Sequence, residues 1–426
     1  MLRFLLIMGV MFLLMNWYVF QGIKRLTANW RSKQLRRAVH WGYWLFMLLF
    51  IAGFVWAINI RFSTDTTTAL VQWFINAFLT LFVTQLVFIL VLFAEDIYRM
   101  FKAAFRFFRR SSAKKEGQQE RRLPERRLPE RRKFVSQLAL VLAGIPFASF
   151  VYGTTRGKYD YTLHRHTLYF DDLPDAFDGF TITQLSDVHS GSFDDPEAVQ
   201  RGIELAKAQN SDLFVFTGDL VNDEAPEIVP YKNNFSQIKA PFGQYSILGN
   251  HDYGMYHEWP SQAAEQANLE RLKQHHADMG YRLLLDEHVM IEKGGEKIAL
   301  LGVENWGRGF IEKGDLDKAL AGVDANAFKI LLSHDPSHWT EVVKEHPTHI
   351  HLTLSGHTHG MQFGVETPLV KWSPVQYRYR HWAGLLNEQH QQLYVNRGFG
   401  FIGFSGRVGI WPEVTVLELR KGRGDA

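Results

Sequence analysis

The sequence predicts two structural classes in one chain: a four-helix transmembrane region at the N-terminus, followed by an α/β domain. Three observations carry this reading. Four apolar stretches fall within the first 155 residues, short β-rich runs alternate with amphipathic stretches after about Tyr159, and the charge changes sign between the two parts. Up to Lys133 the chain holds 22 Lys and Arg against 7 Asp and Glu, a balance of +15; the remainder holds 25 against 37, a balance of −12. The net charge of +3 over 426 residues therefore describes neither part. An asymmetry of this size indicates that the two parts face different surroundings. A basic segment can serve nucleic acid, but here the charges flank apolar runs, so a lipid bilayer is the expected partner and nucleic acid is not. The absence of cysteine excludes a disulfide framework, a thiol enzyme and a cysteine-ligated zinc module.

The apolar stretches are 2–20, 41–60, 66–94 and 134–155. Each approaches or exceeds the ~20 residues needed to cross a hydrocarbon core, and Trp17, Tyr18, Trp41, Trp44 and Tyr152 sit towards their ends, where amphipathic rings favour the interface. No small-residue cleavage site follows the first stretch, so it reads as a span rather than a cleaved signal peptide. Lys and Arg in the loops set the orientation. The loop 21–40 carries Lys24, Arg25, Arg31, Lys33, Arg36 and Arg37, the next loop carries only Arg61, and the loop 95–133 carries fourteen basic residues. The first and third loops are then cytoplasmic, and everything after Thr155 is extracytoplasmic, on a multi-pass inner or plasma membrane protein. The third loop contains a duplicated Glu-Arg-Arg-Leu-Pro at 120–129, expected to be a disordered connection. Arg131-Arg132-Lys133-Phe134 also resembles a twin-arginine export signal, and either reading exports the C-terminal part.

The expected domains are thus 1–155 and 156–426. In the second, strands are expected at 180–185, 213–217, 245–248, 297–303, 329–333, 349–355, 393–396 and 414–419, and helices at 197–209, 261–279, 316–320 and 337–344. Strands alternating with helices define an α/β fold.

Chemically capable residues cluster where these strands end. Ser186-Asp187-Val188-His189, Gly218-Asp219, Gly249-Asn250-His251-Asp252, His334 and Gly356-His357-Thr358-His359 each follow an apolar run, and ligand sites in open α/β sheets form at the carboxyl ends of strands. Imidazoles and carboxylates without thiolates suit Zn, Mn or Fe. Asp-x-His and His-x-His place two ligands on one side if the segments stay extended. A lone Asp-x-His is most often a surface turn; the five segments together in this order are the signal.

That series resembles the calcineurin-like metallophosphoesterase superfamily. The resemblance runs from about Phe180 to Leu419, and its ending, Tyr394-Val395-Asn396-Arg397-Gly398-Phe399-Gly400 with Pro412-Glu413-Val414, is similar to the membrane-linked bacterial branch and to transmembrane proteins with a metallophosphoesterase domain. It implies a four-layer α/β/β/α sandwich with two divalent metal ions: Asp187, His189 and His359 on one, Asn250, His334 and His357 on the other, and Asp219 bridging both. Met361 departs from the Gly-Gly-Gln that often follows the last of these histidines, which bears on substrate shape rather than chemistry. Two such ions can activate water for direct attack on phosphorus. His251 is then the candidate electrostatic partner or general acid for the leaving oxygen, with Asp252 orienting its ring.

Other residues have plainer expectations. His349 and His351 read as packed or surface histidines, and His275 and His276 as solvated. Trp372, Tyr377, Tyr379 and Trp382 with Arg378 and Arg380 read either as loop packing or as a rim meeting lipid headgroups. Arg397 and Arg407 are candidate phosphate clamps, because a guanidinium matches phosphate in a bidentate manner. The expected substrate is a phosphorylated lipid or envelope component. The competing substrate, a nucleotide-linked diacylglucosamine of lipid A synthesis, is cytosolic and fits the topology less well. A second competing class, an inactive sensor or scaffold, is disfavoured by seven intact ligand positions together with His251.

Overall fold

The computed structural model describes residues 2–64, 68–113 and 128–423. By its internal contacts the chain divides into two compact units, Met1–Val151 and Tyr152–Ala426.

The first unit is built from α1 (Leu2–Thr27), α2 (Lys33–Thr64), α3 (Ala69–Ala113) and most of α4 (Leu128–Thr155). Among the described residues three helical stretches are long and apolar enough to cross a membrane: Lys33–Ile60, Ala69–Phe105 and Lys133–Thr155. The stretch 2–20 is helical within α1. Helix α3 runs well past the limit expected at Ala94, because the strong helix formers and aromatics that follow continue the turn beyond the apolar segment. Residues 114–127, including most of the duplicated tract at 120–129, lie outside the described residues, while Arg131 to Phe134 continue α4. Val19, Phe88, Leu92, Ala139 and Ala143 form the packed centre. Leu48, Leu49, Val55 and Leu90 are more than half exposed, an apolar exterior suited to lipid. A buried polar node joins three helices: the Asn16 Oδ1 accepts from Tyr43 Oη at 2.8 Å and from Gln85 Nε2 at 3.0 Å.

The second unit comprises β1 (Thr162–Phe170), β2 (Phe180–Leu185), α5 (Pro196–Lys207), β3 (Leu213–Thr217), α6 (Lys232–Phe235), β4 (Gln244–Ile247), α7 (Gln262–Met279), β5 (Arg282–Leu283), β6 (Glu287–Lys293), β7 (Glu296–Gly302), α8 (Leu316–Leu320), β8 (Phe328–Leu332), α9 (Pro336–Glu341), β9 (Leu352–Ser355), β10 (Val365–Glu366), β11 (Lys371–Trp372), β12 (Gly384–Glu388), β13 (Gln391–Val395) and β14 (Glu413–Lys421). Two six-stranded sheets result, ordered β1-β14-β2-β3-β4-β5 and β12-β13-β9-β8-β7-β6, with β10 and β11 as a separate hairpin. The strands that lead to the candidate site, β2, β3 and β4 in one sheet and β8 and β9 in the other, run parallel to their neighbours in that set.

Three apolar layers hold this together. Ile182, Val215, Leu300, Ile330, Leu354 and Leu417 fill the space between the sheets. Ala198, Ile203, Leu269 and Leu272 of α5 and α7 cover the outer face of the first sheet with Phe214 and Phe216. Leu316 and Trp339 of α8 and α9 cover the second sheet with Leu301 and Leu331. The result is the expected α/β/β/α sandwich. Helix boundaries follow from their caps: Asp195 accepts from Ala198 N at 3.0 Å ahead of Pro196, and Gly280 ends α7 with φ +82°. The strands absent from the sequence reading, β1, β5, β6, β12 and the hairpin, are edge or paired-edge elements with exposed or half-exposed polar residues, so they lack a continuous apolar run.

Candidate metal centre

Each chemically capable segment lies just past the end of its strand, and the two sheets are fastened there. The buried Gln184 of β2 donates from Nε2 to the Ser355 carbonyl of β9 and to Thr217 Oγ1 of β3, both at 2.9 Å. This side-chain bridge holds ligand-bearing ends of both sheets together.

Asp187, His189 and His359 place one oxygen or nitrogen each within 4.8 Å of one another, and Asp219, His334 and His357 do the same. Asp219 joins the two groups, since its Oδ2 is 3.1 Å from His334 Nε2 and 3.5 Å from His189 Nε2. Asn250 belongs to the second group through its Oδ1, 2.9 Å from His357 Nδ1. All seven expected ligand positions therefore converge.

The route to this convergence differs from the expected one. Asp187, His189, Asp219, His357 and His359 have φ between +47° and +70°, the left-handed region, so the segments are turns rather than extended strands. Non-glycine residues in this region cost energy and concentrate at functional sites. What holds them is hydrogen bonding: His357 N donates to both carboxylate oxygens of Asp187 at 2.8 and 3.0 Å, and His251 N donates to Asp219 Oδ1 at 2.9 Å. Two glycines make room. A Cβ at Gly356 would lie 2.1 Å from Asp187 Oδ2, and one at Gly249 would lie 2.2 Å from Asp219 Oδ1.

The donor set fits divalent cations. The Nε2 atoms of His189 and His359 are buried without a hydrogen-bond partner, an uncommon condition for buried polar atoms, and His359 Nε2 points at Asp187 Oδ1 from 3.3 Å. Burial drives His189 down to about 3, His357 to about 4 and His359 well below the ordinary imidazole value. These rings are therefore neutral, the form that donates a lone pair to a metal. His334 is the exception: burial opposes its charge, but the neighbouring Asp219 carboxylate outweighs it and raises the imidazole to about 10. Asp219 is held well below the carboxylate range, burial being outweighed by His334, His251 and His189. Proton and metal thus compete for the Asp219–His334 pair.

Further partners orient these ligands. His334 Nδ1 bonds the Thr217 carbonyl at 2.7 Å. His357 Nε2 lies 2.9 Å from the Tyr379 hydroxyl, which donates to Asp335 Oδ2 at 3.1 Å, and Asp335 also caps α9 through Ser337 N. Sequence reasoning missed Tyr379 and Asp335 in these roles, and Asn222 and Tyr256 as the neighbours of the His251 ring. Asp335, between His334 and Pro336, carries a legible helix-cap signal; Tyr379 carries none, lying between the motif that ends in His359 and the one that begins at Tyr394. Tyr379 also lines a cleft of about 570 Å3 with Arg308, Trp339, Lys344, Arg378 and Arg380.

Several expectations are corrected. Asp252 does not contact the His251 ring. Its carboxylate is fully buried and accepts from the backbone N–H groups of Asp219, Leu220, Val221 and Gly249, so it shapes the loops that carry Asp219 and Asn250. His251 is oriented instead by the Asn222 carbonyl, 2.7 Å from its Nδ1, and its ring packs 4.9 Å from that of His189 and 4.5 Å from Tyr256. The two candidate phosphate clamps are engaged internally. Arg397 is 4% exposed and ion-paired with Glu413 and Glu366; Arg407 is fully buried, with Nη2 3.0 Å from the Gly398 carbonyl and 3.2 Å from His359 Nδ1. Their guanidiniums satisfy buried acceptors and support the fold behind the metal centre. His275 and His276 are buried rather than solvated, because the face of α7 that carries them turns towards the first sheet, where His276 Nδ1 meets Ser246 Oγ at 3.0 Å. His351 is packed, as expected, between Asp172 and Lys329.

Comparison with known proteins agrees with this architecture. Residues 2–158 match the family described as "Probable Calcineurin-like phosphoesterase, transmembrane domain", and residues 180–361 match "Calcineurin-like phosphoesterase". Among the relatives, the Bacillus subtilis metallophosphoesterase YkoQ is 28% identical over 287 residues, 66% of this chain and 99% of that one. YkuE of the same organism is 28% identical over 264 residues, 60% of this chain and 84% of that one. The zebrafish transmembrane protein with metallophosphoesterase domain is 27% identical over 264 residues, 59% of this chain, which spans just over half (55%) of that protein's length. With two matched segments, a four-layer sandwich and two Asp/His clusters joined by Asp219, the chain belongs to the calcineurin-like metallophosphoesterases, phosphoester hydrolases, in a form that carries its own transmembrane region.

Proposed function

We propose that this chain is a membrane-anchored phosphoesterase that uses two divalent ions, Mn, Zn or Fe, to hydrolyse phosphate mono- or diesters of lipids or cell-envelope components on the extracytoplasmic side of the membrane. The observation that carries this reading is Asp219, whose single carboxylate reaches the nitrogens of both histidine clusters. Asp187, His189 and His359 would hold one ion, Asn250, His334 and His357 the other, and Asp219 both. When bound, two such ions neutralise phosphoryl oxygens and make water reactive at neutral pH.

The chain's own residues supply the rest. His251, with Nδ1 donating to the Asn222 carbonyl, keeps Nε2 to hold or hand over a proton at the leaving oxygen. Tyr379 and Asp335 keep the His357 ring from turning. In the cleft beside Tyr379, Arg308 and Lys344 pair with Glu341 and Glu388, and Arg378 and Arg380 are the cations that support an anionic substrate there. The apolar helices and the basic loops 21–40 and 95–133 support a substrate in the bilayer and a domain beyond it.

The test is Asp219→Ala in the full chain. Metal content and turnover of a chromogenic phosphodiester should fall together; full turnover with both metals retained would refute the bridging role. A reporter active only in the cytoplasm, fused after Ala426, should stay silent, and strong activity would refute the topology.

A further inference from the structure

The hairpin formed by β10 and β11 presents Val365, Leu369 and Val370 outwards, while its Trp372 packs against Phe363. Leu369 at its turn is 94% exposed, Val370 and Val365 are about half exposed, and Tyr377, five residues beyond the hairpin, is 81% exposed. The turn is ordered, not a loose loop: Thr367 N donates to the Val370 carbonyl at 2.8 Å, and Val370 N donates to Thr367 Oγ1 at 3.0 Å. An isolated exposed leucine is ordinary, but a structured tip of Leu and Val followed by an exposed tyrosine and the exposed Arg378 and Arg380 is a layered surface. The other aromatics of this stretch behave differently, with Trp382 buried and Tyr379 bonded to His357. The stretch therefore divides into a packed half and a projecting half.

The base of the hairpin says what covers the projecting half. Gly364 N donates to the Val408 carbonyl, Val408 N donates to the Gln362 carbonyl, and Arg407 N donates to the Gly153 carbonyl. Gly153 is close-packed there, since a Cβ on it would lie 2.4 Å from the Arg407 carbonyl oxygen, and Tyr152 meets Trp411 edge to face at 5.7 Å. Tyr152 and Gly153 belong to the same compact unit as the hairpin and are also the last turn of α4, whose Lys133–Thr155 stretch is apolar enough to cross a membrane. The segment 407–411 thus holds both the hairpin and the point where the chain leaves a bilayer-length helix.

We propose that the Val365–Trp372 hairpin is an interfacial anchor: Leu369 and Val370 enter the acyl boundary of the bilayer, Tyr377 lies at headgroup level, and Arg378 and Arg380 meet anionic lipid phosphates. Aliphatic, aromatic and cationic side chains suit those three depths in that order. The same loop begins at Met361, 57% exposed and two residues from His359, so seating the hairpin brings a rim of the metal centre to the headgroup layer. The anchor itself does not depend on the chemistry proposed for that centre.

The test uses the absence of cysteine. Leu369→Cys in the full chain gives one attachment point for an environment-sensitive fluorophore, and Lys297→Cys, exposed at the amino end of β7 and so away from the strand ends that carry the metal centre, gives the control. Both are reconstituted into vesicles of phosphatidylcholine with one quarter phosphatidylglycerol. The Leu369 label should be quenched several-fold more by lipid-attached nitroxides than by iodide, and the Lys297 label should show the reverse. Equal iodide quenching at both positions would overturn the proposal, as would shielding of the Leu369 label from both quenchers, which would mean that a protein surface, such as a second copy of this chain, covers the hairpin.

Discussion

Replacing Asp252 by Asn separates a loop-shaping role from a catalytic one. Oδ2 accepts from Asp219 N at 2.8 Å and Gly249 N at 2.9 Å, and Oδ1 accepts from Leu220 N at 2.8 Å and Val221 N at 3.3 Å. An amide keeps one oxygen and sets an NH2 against the other pair of donors, so two buried N–H groups lose their acceptor. At about 1–3 kcal/mol for each buried donor left unsatisfied, the expected loss is about 2–6 kcal/mol, a large share of the ~5–15 kcal/mol that stabilises a typical domain. At roughly 2–4 °C per kcal/mol for a domain of this size class, the second unit should melt on the order of 5–20 °C lower. The disturbed N–H groups belong to the loops carrying Asp219 and Asn250, so metal should be lost as well. Thermal unfolding and metal content of the full chain in nanodiscs measure both. If Asp252→Asn melted like the parent, kept both metals and lost only turnover, Asp252 would be steering His251 and the loop-shaping argument would fail.

Four further outcomes are expected. His251→Ala should keep its metal content and melting temperature while kcat falls by ~10²–10⁴, the usual scale for a general acid; loss of metal would make it a ligand instead. Tyr379→Phe removes the hydroxyl 2.9 Å from His357 Nε2 and should weaken metal binding by ~10–100-fold, read by competition with a chelating dye; unchanged affinity would leave Tyr379 a packing residue. Gly356→Ala would drive a Cβ into Ser186 and Asp187, so it should reduce both soluble yield and metal content, and parental behaviour would refute the tight fit. Acidification should also destabilise the second unit through His276. Burial lowers it from 6.5 to about 3, so the unfolded chain takes up the proton first. Its contribution is intact above about pH 6.5 and falls by about 1.4 kcal/mol for each pH unit below that, levelling off near pH 3. A melting temperature that stayed flat from pH 6.5 to 5 would argue against a neutral, buried His276.

The strands that carry the metal centre were legible as short runs rich in β-branched and aromatic residues: Leu213–Thr217 is almost wholly apolar, Phe180–Leu185 alternates Phe and Ile with Thr, and both were recovered to the residue. The site residues were legible for a related reason: a parallel strand ending in Asp, Asn or His puts that residue at the sheet edge, whatever the loop does next. The partners of those residues were not legible. Tyr379 reaches His357, and the Asn222 carbonyl reaches His251, only after the chain has folded back across many intervening residues.

By itself, then, the sequence determined the division into an apolar basic part and an acidic α/β part, the strands leading to the site, and the seven polar residues placed at their ends, because hydrophobic periodicity and strand termini are local properties. Tertiary structure alone decided that the ligand segments are left-handed turns, that Asp252 holds four backbone amides, and that Arg397 and Arg407 face inwards. It also decided that Leu369 projects while Trp382 is packed. A charged or aromatic side chain adjacent to a motif carries no record of which buried acceptor will claim it; that is settled when two sheets close on one another and each polar atom removed from water must find a partner.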